Sequence, residues 1–365
     1  MPQALVDNKG LVGLSAQEDW NVIQTGPDTF NWTSLDHKIF AIKVAGFKYI
    51  YLTITASSDK TPQWLLDSLP PEEIIYLRDP AQSHKTYCEE IKTAVYWSPA
   101  FHAARLNLIR KAGERYANDP AIVAVIAQFA NHHSNDWNVQ DTIGTIGPCS
   151  DGNTYTVNQP LQWTNAGWTI QKMFDVGTQI LDTTAQSFPN QPIKLPIGGL
   201  ADDLVKPFLG PTSGYGSLAK MMVDYVATTP YANRFYPQRN TVDANWGVAS
   251  TLNPPNEPGI GSIRYPKLLV WNHTRPDGPT PGQGGLQMVA SATDGPTSGC
   301  RQDGGPTGPC GPTCDPLCVL QTSLDVSLTF NTSFIEIWPH DGMNPNLYSL
   351  IENTTLTMGG QLRAP

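Results

Sequence analysis

The stretch AIVAVIAQFANHHSNDW, Ala121 to Trp137, carries the most structural information in this chain. Ten largely apolar residues, broken by Gln128 alone, end abruptly in two histidines, two asparagines, an aspartate and a tryptophan. A short Val- and Ile-rich run reads as a strand buried on both faces, as parallel sheets require. Ligands gather at the carboxyl ends of such strands, so the polar cluster that follows is a candidate site.

Working outward, strand-like runs recur with helical segments between them. Leu11 to Ala16 and Phe47 to Ala56 read as strands, with a helix over NWTSLDHKIFAIKVAG whose C-cap is Gly46. Pro99 opens a helix over AFHAARLNLIRKAGERYAND. Beyond the Ala121 strand come a long helix over Trp163 to Phe188, a strand over Gln191 to Gly199 and a helix over Ser217 to Thr228. A strand within Asn233 to Trp246, strand-like GLQMVASA (Gly285 to Ala292), a helix over Pro316 to Leu328 and FIEIW (Phe334 to Trp338) complete the reading. Strand followed by helix throughout is the pattern of a parallel sheet. Seven or eight strands without a glycine-rich phosphate loop point to an α/β (β/α)8 TIM barrel. The expected organisation is a single barrel domain over residues 1–365. Residues 254–315, rich in Pro, Gly and Cys, form an excursion from it.

Composition narrows the function. Of 365 residues, 40% are hydrophobic and only 15% charged, with a formal net charge of −9. An acidic chain without basic runs gives no footprint for nucleic acid or an anionic membrane. No apolar stretch reaches the roughly 20 residues of a membrane span. The six cysteines, four of them at Cys300, Cys310, Cys314 and Cys318 in a Gly/Pro-rich loop, suit disulfides better than metal ligation. Cys88 and Cys149 could pair with each other. The first ten residues contain no signal-peptide apolar region, yet the cysteines point to a secreted protein whose leader has been removed.

Five segments carry a resemblance: Phe30 to Lys48 (FNWTSLDHKIFAIKVAGFK), Thr61 to Leu65 (TPQWL), Trp97 to Phe101 (WSPAF), Arg115 to Ile122 (RYANDPAI) and Phe334 to Trp338 (FIEIW). Together, over Leu11 to Tyr348, they resemble clan A glycoside hydrolases of the β-galactosidase (family 42) type. The resemblance implies a TIM barrel, a carbohydrate substrate, no cofactor, and two catalytic Glu residues, one in an Asn-Glu pair ending strand 4 and one ending strand 7. It makes the Ala121 strand the fourth, where this chain has Asn131-His132-His133 instead, with Asp136 as the nearest acid. At the strand 7 position GLQMVASATD offers Gln287 and Asp294 but no Glu.

Glycoside hydrolysis needs two carboxyl groups across the scissile bond. Asp136 is the candidate general acid, since Trp137 beside it would raise its pKa; an Asx turn is the competing role. Glu336 is the second candidate, placed inside the barrel with Phe334 and Trp338 by period-two alternation. Its competing role is a structural carboxylate paired deep in the barrel. Trp338 matches the aromatic residue that, in the resembled clan, ends strand 8 and stacks on the sugar. His132, Trp137, Trp20, Trp64 and Gln287 complete the expected substrate-binding set, with Trp97 and Trp246 as further loop tryptophans. Glu18 and Asp19 are reserve carboxylates.

Overall fold

The structure is a computed structural model. It describes residues 1–81, 86–129, 137, 139–140, 142–196, 217–242, 282–288, 291–294, 310, 314–361 and 363. Seven parallel strands form one sheet in chain order: β1 (Gly13–Asp19), β2 (Tyr49–Thr55), β3 (Ile122–Ile126), β4 (Ile193–Pro196), β5 (Phe235–Val242), β6 (Gly285–Met288) and β7 (Phe334–Glu336). Each strand pairs with the next, so the sheet curls in one direction, as a TIM barrel does. β1 and β7 are its two edges. The seam between them is bridged by residues on either side of the strands. Asn8 Nδ2 donates to the Gly342 carbonyl at 3.0 Å, and Gly342 packs against Leu5 and Leu11.

The helices follow the strands. They are α1 (Thr33–Val44), α2 (Pro99–Tyr116), α3 (Ile170–Ser187), α4 (Ser217–Ala227), α5 (Pro316–Thr329) and α6 (Tyr348–Thr357). α1 presents Leu35, Ile39 and Ile42 to the sheet and stops at Gly46, whose φ of +81° a glycine adopts freely. α2 opens on Pro99, with Ser98 Oγ accepting from the Phe101 amide. The single helix expected over Trp163 to Phe188 is two. Gln159–Asn165 ends at Gly167 (φ +85°), and the chain restarts at Thr169, the N-cap of α3.

Register assigns each side chain a face. Leu52, Val125, Ile193 and Leu195 lie on the outer face, buried against the helices in one continuous cluster. Two antiparallel hairpins, Ile74–Arg78 with Glu90–Ala94 and Ile143–Ile146 with Tyr155–Asn158, fill the long loops after β2 and β3. They are joined by the Cys88–Cys149 disulfide. A second disulfide joins Cys310 and Cys318, and Cys314 is also disulfide-bonded. Most of the expected 254–315 excursion lies outside the described residues, as does Cys300.

The Ala121 strand is the third of the seven described strands of the sheet. Gln287 lies on the sixth strand and Glu336 on the seventh, with β5 hydrogen-bonded directly to β6. Among the described residues no eighth strand pairs with either edge.

Candidate active site

The inner face of the curl is polar along its amino-terminal strands. Ser15 stands opposite Tyr51, Gln17 opposite Thr53, and Asp19 opposite Thr55. Ser15 Oγ and Thr53 Oγ1 are 3.4 Å apart, and Gln17 Nε2 donates to Thr55 Oγ1 at 2.8 Å. Ser15 and Gln17 are exposed although they face inward. From the other side come Gln238, Gln287 and Glu336, the last two directly opposite each other.

Deep in the lumen, three strands meet. Lys194 on β4, fully buried, donates to Glu336 Oε1 on β7. Its ammonium lies 3.4 Å from the centroid of the Tyr51 ring on β2 and 3.9 Å from that of Phe334, an arrangement that cation–π attraction favours. The two rings are 5.7 Å apart. Burial pulls the lysine below its ordinary pKa while Glu336 opposes the shift. Burial, reinforced by the Glu336 charge, pushes the Tyr51 hydroxyl up. Tyr51 is the third of seven residues in β2, so this pairing sits well below the strand ends.

Nearer the carboxyl end, Asp19 lies 3.6 Å from Lys60 Nζ, which also meets Asp59 at 3.1 Å. Burial raises the Asp19 pKa, with Lys60 opposing and Asp59 and Glu18 adding to it. Glu18 points the other way, to Lys38 of α1 at 3.0 Å, and is not part of the lumen. The reserve carboxylates therefore separate by period-two alternation, Asp19 inside and Glu18 outside.

The expected tryptophans divide. Trp20 is fully buried, with Nε1 donating to Gln24 Oε1 at 2.7 Å and its ring 5.6 Å from that of Phe101. Trp137 is fully buried too. Its indole donates to the Ala127 carbonyl at 2.6 Å, its ring meets Phe129 edge-on at 4.9 Å, and its amide donates to the Pro196 carbonyl at 3.0 Å. Trp64, half-buried, donates to the Gln24 carbonyl at 3.1 Å, and Trp97 packs beside Trp163. Trp338 differs: its N–H donates to the Met288 carbonyl at 2.9 Å, while 42% of the residue stays exposed. Asp136, His132, His133 and Trp246 lie outside the described residues.

Sequence reasoning named the β4 strand but passed over Lys194, although a lone lysine in IKLP, on the inward face of an apolar strand, was a visible signal. It also missed Arg105. That side chain is fully buried on α2, donates to the Ala56 carbonyl at 3.1 Å, and is lowered to about 10 by burial. Gln128 Oε1 accepts from the Ala56 amide, so both backbone polar groups of the residue just after β2 are satisfied by side chains. Among the described residues no group of three or more His, Cys, Asp and Glu side chains is arranged to ligate a metal. Nor is any helix long and apolar enough to cross a membrane.

Residues 11–141 match the profile of glycoside hydrolase family 42, described as β-galactosidase. No curated protein sequence matches the chain. Among solved structures, the catalytic domain of β-amylase from Paenibacillus polymyxa is similar, with TM-score 0.57 and 11% identity over 98% of this chain and 92% of that one. The β-galactosidase of the psychrophilic Marinomonas ef1 gives TM-score 0.41 and 12% identity over 98% of this chain and 57% of that one. That of Bacillus circulans sp. alkalophilus gives 0.35 and 15% over 73% and 45%, so the chain spans about half the length of these two galactosidases. In its amino-terminal sequence and in its fold, the chain resembles the clan A TIM-barrel glycoside hydrolases.

Proposed function

We propose that the protein is a glycoside hydrolase-like barrel, a single domain over residues 1–365, that acts on a carbohydrate by acid/base hydrolysis of a glycosidic bond. The observation that carries this reading is the polar lining of the lumen. TIM-barrel interiors are ordinarily packed with Val, Ile and Leu. Here Ser15, Gln17, Thr53, Thr55, Gln238 and Gln287 put hydroxyls and amides there instead. Such groups suit a ligand that is itself a ring of hydroxyls. In the proposed mechanism Glu336, on the inward face of β7, is nucleophile or base. Asp136 protonates the leaving oxygen, and Trp338 stacks on a sugar. Secretion is part of the same proposal, supported by the oxidised cysteines.

The test is a panel of chromogenic glycosides, assayed with Glu336→Gln and Asp136→Asn beside the unmodified protein. Removing a catalytic carboxyl should lower kcat by about two orders of magnitude or more. Full activity in either variant removes that residue from the mechanism.

A second reading has its own observation. Lys194 occupies one Glu336 oxygen inside a cage formed with Tyr51 and Phe334. That favours a catalytically inactive barrel that binds glycans or serves assembly, with Glu336 as an interior counter-ion. It predicts no turnover on any panel member, and a loss of stability rather than of activity in Glu336→Gln.

A further inference from the structure

Behind the barrel wall, away from the lumen, β2 and β3 face α2 and α3 across a cavity of about 40 Å³. Its walls are apolar, Leu52, Leu108 and Val125 among them, except where Arg105, Gln128 and Thr184 reach it. Arg105 is only 2% exposed. Its Nη2 donates to the Ala56 carbonyl at 3.1 Å, while Nη1 is buried and has no hydrogen-bond partner among the described residues. The Thr184 hydroxyl donates to the Ile180 carbonyl at 2.7 Å and Gln128 Oε1 accepts from the Ala56 amide, so both oxygens are engaged elsewhere. Among the described residues the one acid whose charge acts on Arg105 is Tyr96. Burial pushes that phenol up to about 12, so it is neutral near neutral pH. The guanidinium, lowered to about 10 by burial, is still charged there. A buried charge without a counter-ion is among the most costly arrangements a folded chain can hold.

We propose that this cavity is a binding site for one monovalent anion of chloride size, held by Arg105 Nη1. Size decides the class of ligand. One water molecule's share of the liquid is roughly 30 Å³, so the cavity takes a single monatomic ion and not a phosphate or a sugar. The apolar walls favour a weakly hydrated ion, chloride or bromide, over fluoride, whose dehydration one guanidinium cannot offset. The ion supplies the missing counter-charge and the missing acceptor together. It also steadies the carboxyl end of β2, because Arg105 anchors Ala56 and the chain just beyond carries Lys60 toward Asp19. The site lies outside the barrel lumen and does not depend on the carbohydrate reading.

The experiment is thermal unfolding of the full chain at constant ionic strength, with sodium gluconate exchanged for sodium chloride or sodium bromide. For millimolar affinity, about 100 mM halide should raise the midpoint by about 2 °C, with a saturating dependence on concentration. Gluconate is too large for the cavity, and its general salting-out effect runs in the opposite direction. A crystal soaked in bromide and measured at the bromine absorption edge should show an anomalous peak within hydrogen-bond reach of Arg105 Nη1. Arg105→Met should abolish the halide response. If that variant fails to fold, Ala112→Val, which fills the cavity from α2 and leaves the guanidinium in place, should abolish it instead. Equal midpoints in the two salts, or no bromide peak beside Arg105, overturn the site and leave water as the partner of Nη1. A halide response that persists in folded Arg105→Met overturns it as well.

Discussion

The two halves of the molecule are held together differently. From β1 to β4, strands of four to seven residues and helices of 12 and 18 residues share one continuous apolar cluster. From the end of β5 onward the described buried apolar residues fall into two small groups. One small group centres on Met288, Leu320, Leu324 and Ile351, another on Val242, Leu286, Val326 and Phe330. The end of the chain meets its beginning through polar ties from Asn8, Tyr348 and Arg363, beside the apolar contacts of Leu5 and Leu11. Area burial is distributed over many side chains and tolerates the loss of any one. A hydrogen-bonded tie depends on a single residue, and losing it strands every partner it served. The amino-terminal half should therefore be robust and the carboxyl-terminal half specific. The family match and the proposed anion site both fall within the former.

The largest expected effect comes from the tie with the most partners. Arg363 donates to the carbonyls of Leu5, Val6, Asn8, Leu11 and Ala45 at 2.6–3.3 Å. Its guanidinium also lies 3.9 Å from the Phe47 ring centroid. Arg363→Ala should cost about 4 kcal/mol, since charge-assisted bonds to buried groups contribute roughly 1.5–3 kcal/mol each and do not add fully. Arg363→Lys should recover little, because an ammonium cannot reproduce the planar fork. Urea unfolding measures both. A midpoint unchanged in Arg363→Ala would mean that the carboxyl-terminal half is held by its apolar clusters after all.

How much of this was legible in the sequence follows from the range of each interaction. Phe47 to Ala56 reads as a strand from composition alone, and β2 is Tyr49–Thr55. The stop of α1 at Gly46 is equally local. The break at Gly167 is local too, yet the helical apolar spacing on either side of it concealed the turn. The hairpin Ile74–Arg78/Glu90–Ala94 escaped for a different reason. Its strands are joined by eleven residues, too many for a two-residue turn signature to announce the pairing. The lumen was the least legible. Alternation correctly turned Glu336 inward, but its partner Lys194 is 142 residues away, and no local pattern names a partner at that distance. Asp341 is similar, a buried acceptor whose donors lie about 50 residues upstream.

A smaller effect is expected where the amino-terminal half carries its own covalent tie. Cys88 and Cys149 close a loop of 61 residues, for which chain entropy alone gives up to about 4 kcal/mol. The hairpins they join are also held by other contacts. The Arg78 guanidinium lies 3.6 Å over the Tyr155 ring, and Gln159 and Gln162 donate to the carbonyls of Arg78 and Tyr76. The Cys88→Ser/Cys149→Ser double variant should lose only about 2 kcal/mol in thermal melts, with amide exchange accelerated in the two hairpins and not in β1 to β4. Acceleration throughout the sheet would show that the robust half depends on its disulfide.

The smallest expected effect is on Asp19, where the amino-terminal half gives up stability to place a carboxyl in the lumen. Burial raises its pKa above the usual carboxylate range against the opposing charge of Lys60. A carboxyl whose folded pKa lies above its unfolded value favours folding most when both states are protonated. That contribution is lost as pH rises through the folded pKa. Asp19→Asn removes the ionisation, so at pH 7 the variant should melt about one or two degrees above the unmodified protein. The difference should shrink toward zero near pH 3, below the unfolded pKa of about 3.9. Partial exposure keeps the effect small. A variant that instead melts lower at pH 7 would show that the ion pair with Lys60 outweighs desolvation. Asp19 would then belong with the structural ties of the carboxyl-terminal half, and the contrast between a robust half and a specific one would not extend to the lumen.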